Sequence, residues 1–154
     1  MLEVENAQIW YEELWQNLTK NERLQSKASL AFTEMLLNAH EHGNLGIDST
    51  TKHQLISSGD YWDFLEQQEV SIGLFKKIII TLHKIYNDAN EAYIITNIKD
   101  EGKGFDTQIL SKIFKVHKQF NGKGVYLSRK SSYGIYYNTM GNDVTFIHKL
   151  QSDS

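Results

Sequence analysis

The sequence predicts an α+β fold, on three observations. Apolar residues recur at three- and four-residue steps over the first part of the chain, which is the period of amphipathic helices. From Ile78 the texture changes to β-branched runs of strand length. Those runs come as two hairpins with a lysine-rich, partly helical stretch between them, an order that argues against a parallel βαβ series.

Over residues 2–18, Leu2, Ile9, Trp10, Leu14, Trp15 and Leu18 mark an amphipathic helix interleaved with acids. Its broad apolar side either packs onto the domain or meets a partner. Thr19-Lys20-Asn21-Glu22 reads as a break with a new N-cap. The next helix is expected over 22–42, with Leu24, Ala28, Ala31, Met35 and Ala39 as its buried stripe and Gly43 closing it in the left-handed conformation. A capping-type sequence then leads into short helical pieces at 52–56 and 61–67, divided by Ser57-Ser58-Gly59-Asp60. The first hairpin is expected from 78–86 and 92–98, the second from 134–139 and 143–150, turning around Met140-Gly141-Asn142.

With 154 residues and no linker-like segment, the whole of 1–154 is expected to form a single domain. A hydrophobic fraction of 40% is too high for a disordered chain. The absence of cysteine excludes disulfides and thiolate zinc sites and is compatible with a reducing compartment. No apolar run reaches the length of a membrane span and the N-terminus lacks a signal-peptide pattern, so a cytoplasmic protein without a membrane partner is expected. The net charge of −3 offers no basic footprint for nucleic acid, although lysines cluster between 112 and 130. A local phosphate site stays compatible with that charge.

Three stretches carry chemistry. Glu34 and Asn38 are four residues apart on one helix, so a carboxylate and an amide oxygen project side by side at the edge of the buried stripe, where a cleft can open. An exposed helix end with ordinary polar residues is the plain alternative. Asp100-Glu101-Gly102-Lys103-Gly104-Phe105 follows the first hairpin directly: its glycines allow a sharp turn and close approach to a ligand, and its aspartate can accept from an exocyclic amine. Asn121-Gly122-Lys123-Gly124-Val125 repeats the spacing before a helix, where exposed N–H groups favour phosphate. A surface turn would explain either copy alone. Neither is a Walker loop or a dinucleotide fingerprint, and His40-Glu41-x-x-Asn44 lacks the second histidine of a zinc-protease helix.

Taken together, Glu34-x-x-x-Asn38-Ala39-x-x-His42-Gly43-Asn44, Asp100-x-Gly102-x-Gly104-Phe105, Gly122-x-Gly124-Val125 and Gly141-Asn142-x-Val144-Thr145 resemble the histidine-kinase-like (GHKL) ATPase superfamily, in order, over residues 20–150. His42-Gly43-Asn44 and Tyr137-Asn138…Gly141-Asn142 are similar to its anti-sigma factor serine/threonine-kinase branch. The resemblance implies a two-layer α/β sandwich, with a mixed, mostly antiparallel sheet, helices on one face and a lid over ATP at 106–121. It further implies that Asn38 coordinates Mg²⁺ and that Glu34 is the base toward the attacking hydroxyl or water. Asp100 would accept the adenine amino group, Gly102 and Gly104 would shape the lid's hinge, and Gly122, Lys123 and Gly124 would cradle phosphates. Phe105 and Val125 count as nucleotide-binding with their boxes, and Thr145 would join the adenine contact through water. Lys112, Lys115, Lys118 and Lys123 could offset phosphate charge, though a solvated face is the ordinary status of such lysines.

Two departures stand out. Many relatives carry an acid where Tyr133 or Gly134 stands, and the family's N-terminal strand is either missing or reduced to Leu2-Glu3-Val4. The second suggests a module of a longer signalling protein. The expected function is transfer of the ATP γ-phosphate to a partner protein, a sigma factor or its antagonist being the implied partner, with a homodimer left open. The alternatives are the catalytic module of a two-component histidine kinase and a nucleotide-sensing module without turnover.

Overall fold

The computed structural model describes residues 1–110 and 123–150. Four helices come first: α1 (Leu2–Leu18), α2 (Glu22–Leu37), which runs on into a π-helical turn (Asn38–Asn44), α3 (Ser49–Ser58) and α4 (Tyr61–Ser71). Strands β1 (Ile79–Tyr86) and β2 (Ala92–Lys99) follow, then α5 (Lys123–Ser131), β3 (Gly134–Tyr137) and β4 (Asp143–Lys149). The described strands form one sheet of order β1-β2-β4-β3 in which every pair is antiparallel. The α+β expectation holds, with a sheet that is antiparallel throughout rather than mixed.

Both hairpins form where β-branched runs meet turn residues. Asn90 takes a positive φ of 61° in the first turn, and Gly141 takes 86° in the second. The pleat then divides the residues between two faces. Ile94, Thr96 and Ile98 of β2, Val144, Phe146 and His148 of β4 and Ile135 of β3 are all buried on one face. On the other, Ile79, Ile85 and Tyr136 stay exposed.

Helices α1 and α2 cover the buried face. Tyr11 reaches from α1 to the sheet, its hydroxyl 2.9 Å from Thr96 Oγ1, and its ring stacks on Phe32 of α2 at 3.9 Å. Trp15 meets the His148 ring edge-on at 5.5 Å. Removing each such side chain from water contributes about 2 kcal/mol, so this aromatic seam is what joins the two layers. A smaller core of Leu45, Ile47, Tyr61 and Leu65 holds α3 and α4 beside the turn. No helix among the described residues is long and apolar enough to cross a membrane.

Several expectations need correction. The α1 stripe holds at Trp15, which is buried, and at Leu14 and Leu18, which pack against the core, but shifts toward its N-terminus: Val4 and Tyr11 are buried, whereas Leu2 (70%), Ile9 (54%) and Trp10 (44%) are exposed. Residues 2–4 are helical, so no N-terminal strand exists there. The helix expected over 22–42 is α-helical only to Leu37, and Gly43 lies inside the π turn without a positive φ; the left-handed residue is Gly46, at 66°. The two short pieces extend to 49–58 and 61–71, because Asp48 caps the first by accepting from Thr51 N at 2.7 Å. Strand β3 stops at Tyr137, two residues early, as Asn138 Oδ1 accepts from Gly141 N and Asn142 N and turns the chain.

Candidate functional site

The site starts from how α2 is held. Asn21 Oδ1 accepts from Leu24 N at 3.1 Å and caps the helix. Small residues on the inner stripe, Ala28 and Ala31, let α5 approach closely, and Ser128 Oγ of α5 bonds Gly124 O at 2.8 Å and Ala31 O at 3.4 Å. That packing brings the start of α5 against Glu34 and Asn38. A Cβ built on Gly124 would stand 2.6 Å from Glu34 Oε2 and 3.6 Å from Asn38 Nδ2. Any larger residue would have to push the Glu34 carboxylate aside. The start of α5 therefore lies beside a carboxylate and an amide, with the Asn38 nitrogen toward Gly124.

Beyond Asn38, the π turn sends each side chain to a different neighbour. His40 Nε2 pairs with Glu69 of α4 at 2.8 Å, buried Glu41 pairs with Lys52 of α3, and His42 Nδ1 bonds Ile47 O. Asn44 is buried and bridges two backbone groups: its Oδ1 accepts from Glu101 N at 2.7 Å and its Nδ2 donates to Lys77 O at 3.1 Å. Gly43 is pressed against Asp100, where an added Cβ would lie 2.5 Å from the carboxyl carbon. Sequence reasoning gave Gly43 and Asn44 only to the helix end. Their work is to seat the first glycine box, 57 residues away.

That box is tightly built. Asp100 is 8% exposed and accepts Gly102 N–H at 2.7 Å. Burial pushes its carboxyl above the usual range; the Gly102 bond and Lys76 work against that shift, and Asp143 adds to it. A Cβ on Gly102 would stand 2.4 Å from Gly43 O. Gly104 has φ 76°, and a Cβ there would come within 1.9 Å of Met140 O, which accepts from Phe105 N at 3.0 Å. Phe105 also meets the Tyr137 ring edge-on at 4.9 Å. The boxes at 100–105 and 141–142 are thus one structure, with Gly141 packed on Phe105.

Two sequence candidates lie elsewhere. Val125 is 6% exposed and belongs to the main core, so its side chain packs rather than reaching a ligand. Thr145 faces away from the helices, its Oγ1 accepting from Asn97 Nδ2 at 3.0 Å. Alternation with buried Val144 and Phe146 could have told this from the sequence. Gly122, the side chain of Lys123, Lys112, Lys115, Lys118 and the lid from 111 to 121 lie outside the described residues. Tyr137, named in the sequence only as part of a closing motif, is a member of the site: its hydroxyl donates to Met35 Sδ at 3.3 Å beside Asn38.

No family model, no curated protein and no solved structure matches the chain. The case for a ligand rests on the geometry. A Cβ at Gly124 would meet the Glu34 carboxylate, and Asp100, packed on Gly43 at the far end of the π turn, is a buried carboxylate. Among the described residues no group of three or more His, Cys, Asp or Glu could hold a metal ion. A Mg²⁺ at Asn38 would take its remaining ligands from phosphate oxygens and water, as that ion commonly does.

Proposed function

We propose that the chain is an ATP–Mg²⁺-binding signalling domain of the GHKL type. Within that class it is a protein kinase of the anti-sigma-factor kind, modifying serine or threonine of a partner protein. The observation that carries the reading is the seating of Gly124 on Glu34 and Asn38, with Asp100 locked between Gly43 and Gly102. The described parts of the four sequence motifs touch pairwise, Gly124 on Glu34, Gly43 on Asp100 and Gly141 on Phe105.

Phosphoryl transfer asks a protein for positioning and charge compensation more than for covalent chemistry. Mg²⁺-ATP would supply the transferable phosphoryl group and the counter-charge for its transfer. Glu34 would take the proton from the partner's hydroxyl as that oxygen bonds to phosphorus and ADP departs. Asn38 would give a neutral oxygen to the cation, Asp100 would accept from the adenine amine, and the N–H groups at the start of α5 would face the phosphates. The two histidines nearest the pair each have one ring nitrogen engaged, His40 with Glu69 and His42 with Ile47 O.

Incubation with Mg²⁺-ATP and a candidate partner is expected to put an acid-stable phosphate on Ser or Thr, and Glu34→Ala is expected to abolish it. Transfer undiminished in Glu34→Ala, or phosphate found on histidine, overturns the assignment. Failure to bind ATP removes the whole reading.

A further inference from the structure

Helix α4 buries Tyr61 and Leu65 and leaves Trp62 and Val70 exposed. These two are about two turns apart, with exposed Glu66 between them, one turn from each. The helix then passes into a 3₁₀ turn (Gly73–Phe75) that folds back on its end: a Cβ built on Gly73 would lie 3.4 Å from Leu45 Cδ2 and 3.7 Å from Glu69 Cβ. That turn holds out Leu74 at 77% exposure and Phe75 at 82%, the two most exposed large apolar side chains among the described residues. A single exposed apolar residue needs no explanation, but four on one helix and the turn at its end mark an interaction surface.

The charge around them has one sign. Residues 53–75 contain Asp60, Asp63, Glu66 and Glu69 and no lysine or arginine. Glu69 is engaged with His40 at 2.8 Å, whereas Asp63 and Glu66 are exposed and make no ion pair among the described residues. Lys52, the base before this run, pairs with Glu41, and Lys76 and Lys77, the bases after it, lie on the segment leading to β1.

That charge selects the occupant. Nucleic acid and anionic lipid are repelled by acids that nothing offsets. An isologous pairing with a second copy would bring two acid-only surfaces together. The surface is helical and offers no strand edge, so an extended segment would find no backbone to pair with. What complements apolar residues ringed by acids is an apolar stripe flanked by bases. We propose that the outer face of α4 and the turn after it, centred on Trp62, Val70, Leu74 and Phe75, is a docking surface for a basic amphipathic helix of a partner protein. The stripe of that helix covers the four side chains while its lysines or arginines meet Asp63 and Glu66. Docking needs no nucleotide, so it stands apart from the proposed ATP site.

The test uses the full chain and a fluorescently labelled amphipathic helical peptide of leucine and lysine, with a leucine–glutamate peptide of the same pattern as control. Fluorescence anisotropy should show binding of the first and none of the second. Trp62→Ser and Phe75→Ser, both at exposed positions, should each weaken binding by about tenfold or more. Glu66→Lys should weaken it by about fivefold at low salt, with the difference from wild type closing at high salt. Glu13→Lys reverses an exposed acid on α1 and should change affinity by less than about twofold. No binding of the leucine–lysine peptide overturns the proposal, as does binding that Trp62→Ser and Phe75→Ser leave intact. Equal losses in Glu66→Lys and Glu13→Lys overturn it too, because they reduce the attraction to the overall charge of the chain. A wild-type dimer in sedimentation that Phe75→Ser dissociates gives the face to a second copy, and phosphatidylserine vesicles that retain wild type but not Phe75→Ser give it to a membrane; either result overturns the assignment.

Discussion

The two glycine boxes share the letters Gly-x-Gly and differ in physical kind. At 100–105 the glycines are needed by the backbone: Gly104 has a positive φ, and Cβ atoms on Gly102 and Gly104 would strike the carbonyls of Gly43 and Met140. At Gly124 the obstacle is the far end of the Glu34 side chain, which can swing away. The first box is therefore part of the fold, and the second meets only a side chain that can yield. One spacing pattern serves two purposes, and only the neighbours tell them apart.

Three substitutions can break or sharpen this contrast. The largest effect on stability is expected for Gly104→Ala, which meets both the left-handed penalty and the Met140 carbonyl; unfolding free energy should fall by about 3 kcal/mol or more in urea titration. A change below about 1 kcal/mol would mean that the first box is as yielding as the second.

The next effect has the opposite sign. Because the Asp100 carboxyl is raised in the fold, the folded state holds its proton more tightly than the unfolded one, and stability declines as pH rises through the carboxylate range. Asp100→Asn removes that decline while keeping an oxygen for the Gly102 N–H. It should raise the urea midpoint at pH 7, with the gain closing toward acid pH where the wild-type carboxyl is neutral in both states. ATP binding should be lost in the same variant. No gain at pH 7 would show that the first box accommodates its charge without cost.

Gly124→Ala should have the smallest effect on stability. Alanine favours the helix by about 1 kcal/mol over glycine, against a modest cost for displacing Glu34, so the melting temperature should stay close to wild type. If Glu34 is the base as proposed, phosphoryl transfer should nevertheless fall by about a hundredfold, since the added methyl displaces it. If Gly124→Ala unfolds the chain, the second box belongs to the fold after all.

Much of the fold was legible because its causes are local. Ile78 to Tyr86 and Ala92 to Ile98 read as strands because β-branched residues crowd a helix and suit a pleat, and Asn21 read as a cap because its oxygen can satisfy a helix N–H nearby in sequence. The Glu34–Asn38 pair read correctly as one face. What failed depended on distant partners. Tyr11 is buried in place of Ile9 because its hydroxyl finds Thr96 across the layers, a contact the helical period cannot foresee. The π turn was missed because it is fixed by Lys52, Glu69 and Glu101, none adjacent in sequence. Gly43 was taken for a helix stop because the carboxylate that requires its missing Cβ comes from the end of β2.

That turn also sets what the chain can tolerate in length. A π turn carries one more residue than the α-helical turn it replaces, and it is the less favourable geometry unless its neighbours hold it. Within residues 38–44 the identity of a half-exposed side chain can vary, but the number of residues cannot. Removing one would rewind the segment as α-helix and rotate everything beyond the cut by about 100°. Asn38 would keep its place while Gly43 and Asn44 swung off Asp100 and Glu101. The seat of Gly124 on Glu34 and the seat of Asp100 on Gly43 are spaced by a count of residues, as two parts of a ruler are, and a single deletion there would put them out of phase without touching either.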